Sequence, residues 1–264
     1  MQKCLKKLLL VAVIATPIYA QHQQFEVATV KLSPPVPLGT PLPINLGSVN
    51  NGTATLTNVT LSEWLQFAYS LVLETQVVGS DWIKSRDVCF DIVAKAGLVV
   101  SRDDAKLMMQ NLLTERLKLS MHHEPREMQF LALVVAKNGP KLAPAKTDTP
   151  PAQIPAQLPG RLLHPTMSMA ILASLLSRFE RQIVIDMTEL SGPFSIDLQW
   201  TPDALRNRVS QDGAAPLVNG QTVNLDGPSL PTALQEQLGL RLDSRRGAVD
   251  VLVVDHAEKV PLDN

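Results

Sequence analysis

Residues 130–136 read FLALVVA, and residues 249–254 read VDVLVV. Because successive side chains of a β-strand point to opposite faces of the sheet, such runs are apolar on both faces or nearly so. A strand of this kind is typical of the centre of a sheet, where both faces are covered. The two stretches therefore predict an α+β protein in which helices pack across mainly antiparallel sheets.

One pattern surrounds these strands and recurs four times: an amphipathic helix, a strand, a turn and a second, more apolar strand. Thr60 and Ser101 are predicted to cap the first two helices, the third copy is predicted to begin near Ser168, and Ser229 precedes the fourth helix. Glu63 completes a capping box, and Gly239 is placed as a C-terminal cap. The recurrence predicts repeated helix–hairpin units, although helix followed by hairpin is common enough for coincidence to remain the alternative.

The strands of the four copies are predicted from alternation and turn residues. In the second copy, Leu107, Met108, Leu112 and Leu113 are predicted to face inward from the helix. The predicted strand pairs are 75–78 with 88–94, 117–124 with 128–137, 183–185 with 194–200, and 240–242 with 248–255.

Proline marks the predicted domain boundaries. Several prolines lie among Ala, Gln, Lys and Thr in residues 141–160, a composition typical of an extended linker. The predicted organisation is a signal peptide (1–20), a first α+β lobe (21–140), this linker (141–160) and a second α+β lobe (161–264), each lobe with its helices on one face of a sheet.

The first twenty residues, MQKCLKKLLLVAVIATPIYA, have the layout of a secretory signal peptide. Lys3, Lys6 and Lys7 precede a short apolar core, and Ala20 provides a small residue at the cleavage site. An uncleaved anchor is the alternative, but polar residues follow at once. We therefore expect an exported protein, periplasmic or extracellular, with no transmembrane segment in the mature chain.

Composition excludes several classes of protein. The 264 residues contain 24 Lys+Arg and 25 Asp+Glu, a near-neutral balance that does not favour nucleic acid as a partner. Hydrophobic residues at 45% indicate a globular chain. Cleavage would leave Cys89 without a second cysteine, and its apolar neighbours predict a small buried hydrophobe rather than a nucleophile.

Five longer motifs lie in order along the chain: FEVATVKLSPP, GSDWIKSRDVCFDIVAKA, LLTERLKLSMHHEPREMQFLALVVAKNGPKL, IDMTELSGPFSIDLQWTPD and SLPTALQEQLGLRLDSRRGAVDVLVVDHAEKV. Together they resemble a large family of uncharacterised secreted proteins, expanded in soil acidobacteria and built on a domain of unknown function. The resemblance implies no activity, cofactor or catalytic residue. Some relatives look fused behind membrane metallopeptidase sensors, which implies an extracytoplasmic sensing or interaction domain.

The tripeptide His122-His123-Glu124 is the best candidate for a metal site. Alternation places His122 and Glu124 on a polar face with Lys118, whereas His123 continues an apolar face. HExxH is absent, a third ligand is missing, and Lys118 opposes cation binding. We therefore predict no metal and no cofactor.

Carboxylates recur near strand ends and turns, where aspartates usually act as local caps. One pair at a suitable separation is the alternative, since two carboxylates can perform acid–base chemistry. Trp82 is either an exposed anchor for a partner or a side chain that closes onto the core. The aspartates concerned are Asp81, Asp91, Asp186, Asp197, Asp250 and Asp255.

The expected function is an exported, non-enzymatic binding, interaction or sensing module with an unknown envelope or extracellular partner. The alternative is a periplasmic hydrolase that uses the carboxylates or His122. A cleft with converging carboxylates or histidines would favour the hydrolase. A shallow surface with exposed strand edges would favour interaction by strand addition.

Overall fold

The structure, a computed structural model, describes residues 24–35, 43–145, 160–203, 217–218, 221–222 and 226–262. The helices are α1 (Leu61–Tyr69), α2 (Arg102–Leu117), α3 (Met169–Glu180) and α4 (Leu230–Ala233), and a π-helical turn (Leu234–Leu238) extends α4. The strands are β1 (Val27–Leu32), β2 (Asn45–Asn50), β3 (Thr53–Val59), β4 (Val77–Val78), β5 (Phe90–Lys95), β6 (Ser120–Val135), β7 (Ala143–Pro144), β8 (Arg161–Ser168), β9 (Val184–Asp186), β10 (Pro193–Gln199), β11 (Leu217–Val218), β12 (Gln221–Thr222) and β13 (Leu240–His256).

The chain divides into two compact units, and each unit is built from separated segments. The first unit contains the described residues within Met1–Ser70, Ser80–Ser120 and Asp255–Asn264. The second unit contains the described residues within Leu71–Gly79 and Met121–Val254.

A four-stranded antiparallel sheet forms the centre of the first unit, in the order β1-β5-β3-β2. Its inward side chains, such as Leu56 and Ile92, are buried. Trp64 of α1 packs on Phe90 of β5 with ring centroids 6.0 Å apart. The Gln110 side chain of α2 donates to the Ala68 carbonyl at the end of α1, which joins the two helices.

The hairpin of β2 and β3 is not among the elements predicted from the sequence. Its turn contains Asn51 and Gly52, both at positive φ (48° and 76°), as a type I′ turn requires. Asn-Gly between two strands is a strong hairpin signal, so this element was recognisable from the sequence.

The predicted N-caps Thr60 and Ser101 are confirmed, and each side chain accepts a hydrogen bond from the main-chain N–H three residues on. Ser168 and Ser229, near which the other two helices were predicted to begin, cap them in the same way. Thr60 and Glu63 also form the predicted capping box. Gly239, at φ 66°, is the predicted left-handed cap. These contacts are local in sequence, which is why the sequence predicts them well.

None of the four predicted strand–turn–strand pairs forms a hairpin. The strands of the first predicted pair, β4 and β5, lie in different sheets, and so do those of the third, β9 and β10. The second and fourth predicted pairs are instead the continuous strands β6 and β13, of 16 and 17 residues. In these neighbouring strands His123 lies beside Asp250 and Glu127 lies beside Arg246. Residue numbers therefore rise along β6 as they fall along β13, so the two strands are antiparallel. Hydrogen bonds to a long partner strand keep the chain extended even at residue types that are common in turns. Pro125 accordingly lies within β6 rather than ending it.

The C-terminal half of β6 is buried on both faces, as predicted. Leu131, Leu133 and Val135 belong to one apolar cluster of the second unit. Phe130 and Ala132 belong to another. In the sheet order β4-β13-β6-β9, β6 is an interior strand.

The α+β class is confirmed, but the predicted lobes and fourfold repeat are not. β6 precedes residues 141–160, yet it shares a sheet with β9 and β13, which follow them. That sheet is mixed, since β6 with β9 and β13 with β4 are parallel pairs. Within residues 141–160, β7 pairs with β10, while the predicted signal peptide and residues 146–159 lie outside the described residues. In the part of the chain that the structure describes, no helix has the length and apolar character to cross a membrane.

Candidate functional site

The β1 strand forms one edge of the sheet of the first unit. Among the described strands it pairs only with β5, in the register Leu32↔Phe90. The Ser33 N–H donates to the Cys89 carbonyl at 2.8 Å, so that pair is hydrogen-bonded. Because hydrogen-bonded pairs alternate along an antiparallel ladder, every second residue of β1 turns its N–H and C=O away from β5. The residues with outward main-chain groups are Ala28, Val30 and Leu32.

Apolar side chains lie along this edge. Val27 is 61% exposed and Leu32 is 44% exposed. On the neighbouring strand, Val93 is 51% exposed and lies opposite Thr29. Main-chain donors and acceptors next to exposed apolar side chains are the features that another strand recognises.

The opposite edge of the sheet, β2, is irregular. Its pairing with β3 shifts register between Asn45 and Ser48. Gly47, at φ 123°, lies so close to the Phe67 ring that a Cβ would overlap with the ring. The Arg102 guanidinium donates to the Gly47 carbonyl at 3.2 Å and lies 5.2 Å from the centre of that ring. A bulge and a charged side chain are common protections of a strand edge, so among the described strands of this sheet β1 is the regular edge without a second partner strand.

A polar cluster holds the end of β1 in place. Asp91 Oδ1 accepts hydrogen bonds from the Ser33 hydroxyl at 2.7 Å and from the Asn58 N–H at 2.9 Å. Asn58 has a positive φ of 51°, where the register of β3 and β5 shifts. Arg86 donates to the Asn58 carbonyl at 2.9 Å and pairs with Glu63. The carboxylate of Asp91, one of the predicted candidates, therefore binds structural donors.

Cys89 lies beside this cluster and is buried, as predicted, with 6% of its surface exposed. Burial raises the pKa of its thiol, and the Sγ atom donates to the Arg86 carbonyl at 3.4 Å. Since the thiolate is the nucleophilic form, this environment disfavours reactivity.

The residues of the His122-His123-Glu124 stretch lie at the start of β6. His122 and Glu124 share a face, as predicted, with Nε2 and Oε2 3.9 Å apart. The prediction that His123 continues an apolar face is wrong, because its side chain is 54% exposed and Nδ1 lies 2.7 Å from Asp250 Oδ2. Lys118 does not belong to the strand, because it is the left-handed C-cap of α2.

The other predicted carboxylates have separate local surroundings. Asp186 accepts hydrogen bonds from Thr188, and Asp197 lies 3.6 Å from Arg161. Asp81 begins a 3₁₀ turn, and Asp255 lies near the end of β13. Within the described ranges, His, Cys, Asp and Glu side chains form no group of three or more that would hold a metal ion.

Trp82 is half-buried rather than a freely exposed anchor. The Lys259 ammonium lies 5.7 Å from the centre of its ring, a distance typical of a cation–π contact. Trp82 therefore packs within the first unit.

Comparison with known proteins gives one result. A family described as a protein of unknown function, DUF3738, matches residues 62–257. The match begins in α1, so β1, β2 and β3 precede it. No curated protein and no solved structure matches the chain.

Proposed function

Because the chain belongs to the DUF3738 family, whose function is unknown, we propose its function from the geometry of its own residues. It is an exported, non-enzymatic interaction module that binds an envelope or extracellular protein by accepting a strand at the edge of β1. Export is supported by the signal-like layout of residues 1–20, and by the motifs that resemble secreted proteins of soil acidobacteria.

The open edge of β1 is the observation that carries this proposal. Ala28, Val30 and Leu32 each present one N–H and one C=O away from β5. Each main-chain hydrogen bond to a partner contributes a net stabilisation of about 1 kcal/mol. Burial of the exposed Val27 and Leu32 side chains adds an apolar contribution of about 25 cal/mol per Å².

The surroundings of the aspartate carboxylates and of the cysteine thiol support a non-enzymatic role. Asp91 binds the donors of Ser33 and Asn58, Asp186 binds Thr188, and the Cys89 thiol is buried. These groups stabilise turns and strand ends, which is the usual role of such aspartates.

Hydrogen exchange of the full chain tests the edge directly. In the free protein, the amides of Ala28, Val30 and Leu32 should exchange much faster than those of Thr29 and Lys31, which bond to β5. Equal protection of both sets would show that the edge is not open.

A proline substitution tests the interaction. Val30→Pro removes an outward N–H and leaves the donors that face β5 intact, and proline is tolerated on edge strands. Lys31→Gln, which alters only a side chain, is the matched control. Wild-type and Lys31→Gln chains should retain the same protein from an envelope extract, with the amides of Ala28, Val30 and Leu32 protected in the complex. Equal retention by a folded Val30→Pro chain would refute strand addition.

A further inference from the structure

A cavity of about 170 Å³ lies in the first unit, beside the start of β1 and against one side of α2. Its walls come from the chain that leads into β1, from Ala28 of β1 and from α2, and none of the described lining residues belongs to β5. Because β5 pairs with one side of β1, the cavity lies on the other side, where an added strand would run.

The helix α2 turns a polar flank toward this side of the sheet. Gln110 donates to a main-chain carbonyl near the end of α1, so the flank of α2 that carries it faces α1. The α1 helix lies over β2, where its Phe67 ring contacts Gly47. Asn111 and Glu115, four positions apart, share the opposite flank and line the cavity. This flank therefore faces the β1 end of the sheet.

Strand addition at β1 would direct one side chain of the partner into the cavity. Directly opposite residues of neighbouring strands point to the same face of a sheet. Ala28 points inward, since it is buried and lines the cavity, and its short side chain leaves space beside it. The partner residue opposite Ala28 therefore points inward as well. A volume of about 170 Å³ holds one long side chain, since a cavity of about 150 Å³ binds benzene.

The polarity of the walls favours a basic side chain. The surface that the lining exposes is almost wholly polar, so an apolar side chain would bury polar groups without a hydrogen-bond partner. The Glu26 carboxylate lies against Gly97, whereas the Glu115 side chain is 58% exposed. Arg116 Nη2 lies 3.6 Å from Glu115 Oε1, beyond hydrogen-bond distance, and the Arg116 side chain is only 13% exposed. The exposed charge is therefore negative, so it would attract a basic group and repel an acidic one.

We propose that the strand accepted at β1 carries a lysine or arginine opposite Ala28, and that this side chain enters the cavity and pairs with Glu115. The inference rests on the proposed function, strand addition at β1, and specifies its partner. Main-chain bonds to an edge strand accept many sequences, and a pocket for an alternate side chain provides selectivity. The partner is therefore an extended segment with a basic residue on the face that packs toward α2.

Selection of random peptides displayed on phage, with the full chain as the target, tests the inference. Edge ligands are the peptides that Val30→Pro no longer binds and that protect the amides of Ala28, Val30 and Leu32 from exchange. They should carry lysine or arginine at one fixed position. Edge ligands with an apolar or acidic residue at that position, or with no preference, would overturn the inference and leave strand addition standing. Absence of any edge ligand would refute strand addition itself, and the inference with it.

Two variants test the role of Glu115 with a selected basic peptide. Glu115→Gln removes the charge at an exposed position and should weaken the peptide by about tenfold, because a charge-assisted hydrogen bond is lost. The same peptide with norleucine in place of its basic residue should bind more weakly and be insensitive to Glu115→Gln. Glu236→Gln, at an exposed position of the second unit, is the matched control and should leave both affinities unchanged. Equal affinity of the basic peptide for the wild type and Glu115→Gln would overturn the proposal.

Discussion

Replacement of Asp91 by alanine should lower the free energy of unfolding of the first unit by about 3 kcal/mol. Asp91 Oδ1 accepts from the Asn58 N–H at 2.9 Å and from the Ser33 hydroxyl at 2.7 Å. Asn58 is buried, with 7% of its surface exposed, so its orphaned N–H should cost about 2 kcal/mol. The Ser33 hydroxyl can turn toward water, so its loss should add about 1 kcal/mol.

Three further variants separate these contributions. Asp91→Asn retains an acceptor oxygen without the charge and should cost about half as much as Asp91→Ala. Ser33→Ala should cost about 1 kcal/mol. Asp197→Asn is the control, because Asp197 is exposed and lies 3.6 Å from Arg161, so the change should stay within about 0.5 kcal/mol.

Urea denaturation followed by Trp64 fluorescence measures these values for the first unit. Trp82→Phe and Trp200→Phe in the parent chain leave Trp64, which is fully buried against Phe90, as the reporter. A loss below about 1 kcal/mol for Asp91→Ala, or equal losses for Asp91→Ala and Asp197→Asn, would refute the assigned role of Asp91.

Burial raises the pKa of Glu180, so the folded chain favours the protonated form of this carboxyl. The resulting stabilisation is fully present below the pKa of the unfolded chain and is lost as pH rises through the folded pKa. Glu180→Gln should therefore stabilise the protein at pH 7 but not below about pH 4, as pH-dependent denaturation would measure. Gly239→Ala should destabilise by about 2 kcal/mol or more, because at φ 66° the new Cβ overlaps with the Gly139 carbonyl oxygen. Gly192→Ala, at φ 90° in open space, should cost less in the same thermal unfolding assay. A thiol reagent should label Cys89 only after denaturation, and rapid labelling of the native chain would contradict its burial.

The sequence by itself determined the features that depend on neighbours along the chain. Thr60, Ser101, Ser168 and Ser229 cap helices through bonds to residues three positions away. The uninterrupted apolar run of residues 130–136 identified an interior strand, because both of its faces must avoid water. The burial of Cys89 followed from its apolar neighbours in the same way.

Only the tertiary structure decided which distant segments meet. Asp91 bonds to Ser33 across 58 positions, and His123 meets Asp250 across 127. The continuity of β6 and β13 and the position of β1 at a sheet edge depend on such pairings. The sequence carries no local signal for them, because a strand edge or a cavity is defined by the segments that pack beside it. The physical reason is that register and strand order follow from burial and hydrogen bonding summed over the whole sheet.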